Sequence, residues 1–136
     1  MSNQVEIDSV TKYFGDKCVL DQFSLNAEEG EFVVILGPSG CGKSTLLRII
    51  CGLEKPDSGQ IRISGNDISL LEPKDRNIAM VFQNYALYPH KTVSANMAFS
   101  LKMKGLDKVD IAKRVKHAAE ILGLTPYLER YPRALS

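Results

Sequence analysis

The sequence predicts an α/β fold in which a phosphate-binding loop joins a strand to a helix. An antiparallel β subdomain precedes it and the start of a helical subdomain follows. Three observations carry this expectation. The apolar run EFVVIL (31–36) feeds directly into GPSGCGKST and then into LLRIICGL. Short alternating segments separated by Gly-rich turns surround that unit. After residue 90 the apolar spacing changes to helical.

The elements follow in chain order. QVEIDSVTKYF and KCVLDQFSLNA alternate imperfectly and are split by GD, the pattern of a two-stranded antiparallel start. EFVVIL reads as a strand covered on both faces, because nothing polar interrupts it. LLRIICGL reads as a helix ending near Gly52. KPDSG is a turn, QIRIS a strand, GND a turn, and NIAMVF (77–82) a second strand of the buried type. After the loop QNYALYPHK, TVSANMAFSLKMK runs as a helix to Gly105 and KVDIAKRVKHAAEIL as another to Gly123. Ile111, Val115, Ala118 and Leu122 form the expected apolar stripe of the second.

Composition sets the outer limits. A chain of 136 residues holds one domain with a real core, and shares of 44% hydrophobic and 24% charged residues are those of a soluble globular protein. Net charge is +1, which argues against a polybasic nucleic-acid binder. No apolar stretch reaches membrane-spanning length and no signal sequence opens the chain, so a cytoplasmic location is expected. Cys18, Cys41 and Cys51 lack paired spacing and read as reduced thiols.

GPSGCGKS, Gly37 to Ser44, fits GxxxxGK[ST]. Glycines at 37, 40 and 42 permit turns barred to other residues and bring the backbone close to a ligand. The amides of Ser39, Cys41, Thr45 and the glycines, in a loop whose turn also includes Pro38, then form a concavity suited to phosphate oxygens. Lys43 adds a positive charge for the β- and γ-phosphates, and the Ser44 hydroxyl can ligate Mg²⁺.

The wider wording carries a resemblance. GPSGCGKSTLLRIICGLEKPDSGQIRISG, then VFQNYALYPHKTVSANMAF, then YPRALS together resemble the ATP-binding subunits of ABC transporters, from about Val5 to the last residue. More narrowly, the sequence is similar to importers of sugars and glycerol phosphates. This implies an incomplete ABC ATPase domain with a P-loop NTPase core. Residues 1–90 would be its β-rich and phosphate-loop portion, and 91–136 its helical portion. In the family the next residues would complete the LSGGQ signature, of which only Leu135 and Ser136 are present, so a truncation inside that motif is expected. The sequence agrees, for it contains no four apolar residues followed by Asp-Glu, the strand that bears the catalytic carboxylate. Neither His90 nor His117 fits the family's switch histidine, which follows that strand. The chain as it stands is therefore expected to bind Mg-ATP weakly and not to hydrolyse it.

The resemblance assigns further roles. Tyr13 matches the aromatic that stacks on adenine, with strand-end packing as the alternative and Phe14 as a competitor. Gln83 matches the glutamine that touches Mg²⁺ and the attacking water, against an ordinary polar loop residue. The loop from Tyr85 to His90, YALYPH, is rich in aromatics, and the family docks the membrane subunit's coupling helix beside it; core packing of Tyr85 and Leu87 is the alternative. The implied partners are transmembrane permease subunits and a second ATPase subunit, without nucleic acid, at the inner face of the cell membrane. Cys41 reads as a spectator within the loop. The basic run Lys102, Lys104, Lys108, Lys113, Arg114 and Lys116 reads as a solvated helical face. Three classes stay open: an importer ATPase, a non-transport ABC protein, and an inactive fragment with residual nucleotide binding.

Overall fold

Two long strands, β1 (Asn3–Phe14) and β2 (Lys17–Glu28), pair antiparallel across a turn at Gly15 and Asp16, as the sequence predicts. The computed structural model describes residues 3–135. It divides into two compact units, Met1–Met80 and Val81–Ser136.

In the first unit, β3 (Ser58–Ile63) and the short β4 (Asn66–Asp67) complete an antiparallel sheet of order β2-β1-β3-β4. The β1–β2 ladder is irregular where Ser9 and Gln22 take positive φ values of 52° and 44°. Hydroxyls satisfy the displaced amides: Ser9 N donates to Ser24 Oγ at 2.9 Å and Gln22 N to Thr11 Oγ1 at 3.0 Å. One sheet face packs on helix α1 (Lys43–Cys51), whose Leu46 and Ile49, three residues apart, are buried against Ile7, Val10, Leu20 and Ile61. The helix ends at Gly52 in the left-handed conformation, with Gly52 N donating to Ile49 O and Leu53 N to Arg48 O.

The two segments expected to be buried strands depart from that expectation. Residues 31–36 and 77–82 run without ladder pairing among the described residues. Phe32, Leu36 and Val81 are 89%, 86% and 93% exposed, while Ile35 still packs on the core. The reason is physical: a strand that is apolar on both faces needs hydrogen-bonding neighbours at its edges and cover on each side. The described residues supply neither in full.

In the second unit, α2 (Val93–Met103) and α3 (Lys108–Ile121) pack through Ala98, Ile111 and Val115, flanked by Met97, Leu101, Leu106 and Leu128. Both starts are capped by side chains. Thr92 accepts from Ala95 N, and Asp107 accepts from Val109 N and Asp110 N. The buried stripe of α3 is Ile111, Val115 and Ala119. The expected stripe through Ala118 and Leu122 is thus corrected at its end: Leu122 is the C-cap and 65% exposed, beyond the residues that meet α2. Among the described residues no helix is long and apolar enough to cross a membrane.

Candidate functional site

The loop 37–42 leads into α1 through Gly42, the residue that fixes its path. Gly42 is buried and sits at φ 104°, and a Cβ there would lie 2.8 Å from Val19 O and 3.1 Å from Val19 Cγ1. Only glycine allows both the backbone angle and this approach to β2. Gly40, at φ 77°, has open space around it.

The helix start leaves its first amides without intrahelical acceptors. Its first intrahelical bond runs from Leu46 N to Gly42 O at 2.9 Å, so the amides of Lys43, Ser44 and Thr45 precede the intrahelical ladder. No side chain caps this end and no acidic residue lies in the first turn. The helix dipole therefore acts there without a protein carboxylate to oppose it. Lys43 folds back across the loop, its Nζ donating to Gly37 O at 2.6 Å and Pro38 O at 2.8 Å, with Cys41 Sγ at 3.7 Å. Its ammonium is thus held by the loop whose amides it accompanies. Pro38, Ser39, Gly40, Cys41 and Ser44 are exposed, and Thr45 is half-buried. Glycine-formed turns, unopposed amides and a tethered cation fit a polyphosphate.

Tyr13 stands beside this loop in the sheet. It pairs with Cys18 across the hairpin, one residue from Val19, on which Gly42 packs. Its ring is 48% exposed, and its amide is tied to Asp57 Oδ2 at 2.6 Å. The Cys18 thiol beside it raises the Tyr13 phenol above its ordinary value, so the ring stays neutral. Phe14 is equally exposed, but the Lys12 ammonium lies 5.1 Å from its ring centre. Lys12 is buried and held by Glu54 Oε1 and Lys55 O, both at 2.8 Å.

A well-connected residue at the other end of α1 escaped the sequence reading. Arg76 is only 4% exposed and donates to Ile49 O, Ile50 O and Leu71 O at 2.8 to 2.9 Å, and to Ser69 O at 3.3 Å. Its guanidinium therefore closes the C-terminal end of the helix whose N-terminus forms the loop. It also fills the space beside Gly52, where a Cβ would lie 2.6 Å from Nε. Burial lowers its basicity, partly offset by the nearby Cys51 thiol. An arginine within DRN carries no local signal of a contact 27 residues back along the chain.

In the second unit, Gln83 lies in an exposed turn and not at a strand end. The following loop exposes its apolar side chains: Tyr85 is 79%, Leu87 48% and Tyr88 41% accessible. Among the described residues, core packing of Tyr85 and Leu87 does not occur. Tyr85 and Ala86 take φ 62° and 46°, a conformation that costs energy for residues with a Cβ. Between α2 and α3 an open groove of about 360 Å³ has an apolar floor including Ala98, Ile111, Val115 and Leu128, edged by Lys102 and Lys108. His117 and the basic run are exposed, as expected of a solvated face. Leu135 is 41% exposed, and Ser136 lies outside the described residues.

A sequence profile described as ABC transporter matches residues 20–136. The chain belongs to the ABC transporter family. Within this family it is similar to the sn-glycerol-3-phosphate import ATP-binding protein UgpC of Ruegeria pomeroyi, at 55% identity over 97% of this chain. It is also similar to the diacetylchitobiose uptake system ATP-binding protein MsiK of Streptomyces coelicolor, at 52% identity over 97% of this chain. The chain spans 38% and 35% of the lengths of these two ABC relatives. Among solved structures, the ATP-binding cassette MJ0796, in a dimeric post-hydrolysis state bound to ADP and Pi, superimposes with a TM-score of 0.86 at 34% identity. That match covers 97% of this chain and 63% of the other, so the fold is that of part of an ABC ATPase.

Proposed function

We propose that these residues form the N-terminal part of an ABC importer's ATPase domain, which couples ATP binding and hydrolysis to uptake of a carbohydrate or related solute such as a glycerol phosphate. In this reading 1–90 supplies the sheet and phosphate loop, and 91–136 the helical portion. The observation that carries it is the Gly37–Thr45 loop, whose unopposed helix start and tethered Lys43 suit the phosphates of ATP. Tyr13 stacks on the adenine ring, supported by its neutral, half-exposed ring one residue from the loop's contact with β2. Ser44 would hold Mg²⁺ through its hydroxyl; a role for Gln83 toward metal and water rests on the family resemblance alone. Bound Mg²⁺ would neutralise phosphate charge during transfer. The exposed Tyr85–His90 loop and the groove between α2 and α3 support docking of a permease subunit, with a second ATPase subunit as the other partner. The protein then works at the cytoplasmic face of the membrane.

The test is ATP binding by a full-length subunit containing this sequence. Lys43→Ala should weaken binding by about 1.5–3 kcal/mol, the worth of a charge-assisted hydrogen bond. Affinity within about twofold of the parent would remove the site assignment, since roughly 1.4 kcal/mol is already tenfold.

A further inference from the structure

The loop after Gln83 is exposed, contains two residues of positive φ and belongs to no helix or strand, yet it has a definite path. One side chain accounts for much of it. Asn96, in the first turn of α2, accepts from Tyr88 N through Oδ1 at 2.8 Å. Its Nδ2 donates to Tyr88 O at 3.1 Å, Lys91 O at 3.1 Å and Thr92 O at 2.9 Å. Two amide hydrogens serve three carbonyls, so at least one is shared, and the donor and acceptor ends fit these partners in only one orientation. A single residue thus satisfies both backbone groups of Tyr88 and closes the turn leading into the helix. Phe99, three residues on and therefore on the same helix face, meets the Tyr88 ring at 4.8 Å. Lys91 Nζ lies 4.6 Å from the Tyr88 ring and 4.1 Å from that of Phe99. The ring contacts add area; on the backbone, Lys91 N also donates to Tyr88 O at 3.1 Å, and Asn96 is the side chain that bonds both Tyr88 N and Tyr88 O.

We propose that Asn96 is a positioning residue: it clasps Tyr88 from α2 and holds the exposed loop 85–90 in the shape that meets its partner. The strain at Tyr85 and Ala86 makes such a clasp necessary, because an exposed loop with disfavoured backbone angles relaxes unless something over-determines it. The inference rests on reading 85–90 as a docking surface, so its test has one arm that depends on that reading and one that does not.

The independent arm is amide hydrogen exchange of the full-length subunit. Asn96→Ala should speed exchange at Tyr88 by roughly tenfold or more through local opening, with amides of α3 unchanged and ATP affinity within about twofold. Asn96→Asp keeps the acceptor but loses the donors, so its rate at Tyr88 should lie between parent and alanine. This graded response separates a clasp from general loosening. Unchanged exchange at Tyr88, or equal acceleration throughout α3, would overturn the proposal. The dependent arm is ATP turnover stimulated by the assembled permease, which Asn96→Ala should lower severalfold. Faster exchange with normal stimulation would overturn the positioning role. Tyr88→Ala then tells the two ideas apart: if it lowers stimulation while Asn96→Ala does not, only the clasp fails. If the parent shows no stimulation at all, the importer reading fails and exchange alone decides on Asn96.

Discussion

Replacing Gly42 by alanine tests how the phosphate loop is built. Two penalties act together at this position. The backbone sits at φ 104°, and left-handed or otherwise disfavoured angles cost a residue with a Cβ about 1–3 kcal/mol. The added methyl would also meet Val19 O at 2.8 Å and Leu20 Cδ2 at 3.0 Å, inside normal contact, and overpacking of this kind costs a further ~1–3 kcal/mol. Gly40→Ala is the control: φ is 77°, but nothing lies within 4 Å of the added carbon. In urea unfolding without nucleotide, Gly42→Ala should therefore be the more destabilised variant by ~1–3 kcal/mol, the overpacking share. Adding Val19→Ala should recover only part of that difference, since it removes the Cγ1 contact at 3.1 Å and leaves the carbonyl in place. Equal destabilisation by the two glycine replacements would refute the claim that β2 fixes the loop's path.

Two further outcomes concern side chains that hold the ends of β1 and α1. Arg76→Met should destabilise by about 2–4 kcal/mol in the same unfolding assay, because Leu71 O and Ile50 O lose the guanidinium and Ile49 O keeps only its bond from Gly52 N; Arg76→Lys should fall between, its point charge lacking the fork. A methionine variant as stable as the parent would show that these carbonyls have other partners. Glu54 is held below the ordinary carboxyl range, chiefly by the hydrogen bond from Lys12. A depressed native value means that the folded state binds fewer protons, so this contribution is present above the unfolded value and lost as pH falls through the folded one. Glu54→Gln should lower the unfolding midpoint at pH 7, with the gap closing as pH drops below roughly 4. A gap independent of pH would mean that Lys12 and Glu54 act through packing alone.

The sequence by itself determined the elements whose causes are local. The β1–β2 hairpin follows from alternation on either side of Gly15, the end of α1 from Gly52, and the starts of α2 and α3 from Thr92 and Asp107. The loop's motif was equally legible, because GxxxxGK[ST] states spacing and residue type within a single turn. Tertiary structure decided what depends on distant partners. Residues 31–36 and 77–82 have strand-like composition, but a ladder is a property of two segments, and neither finds its neighbour among the described residues. Arg76 and Asn96 look like ordinary polar residues in sequence. Their importance lies in the carbonyls they reach: Arg76 bonds Ile49 far back along the chain, and Asn96 bonds Tyr88 across a helix start. Leu122 fits the apolar spacing of α3 yet stays exposed, because periodicity marks a face and only packing determines where its cover ends.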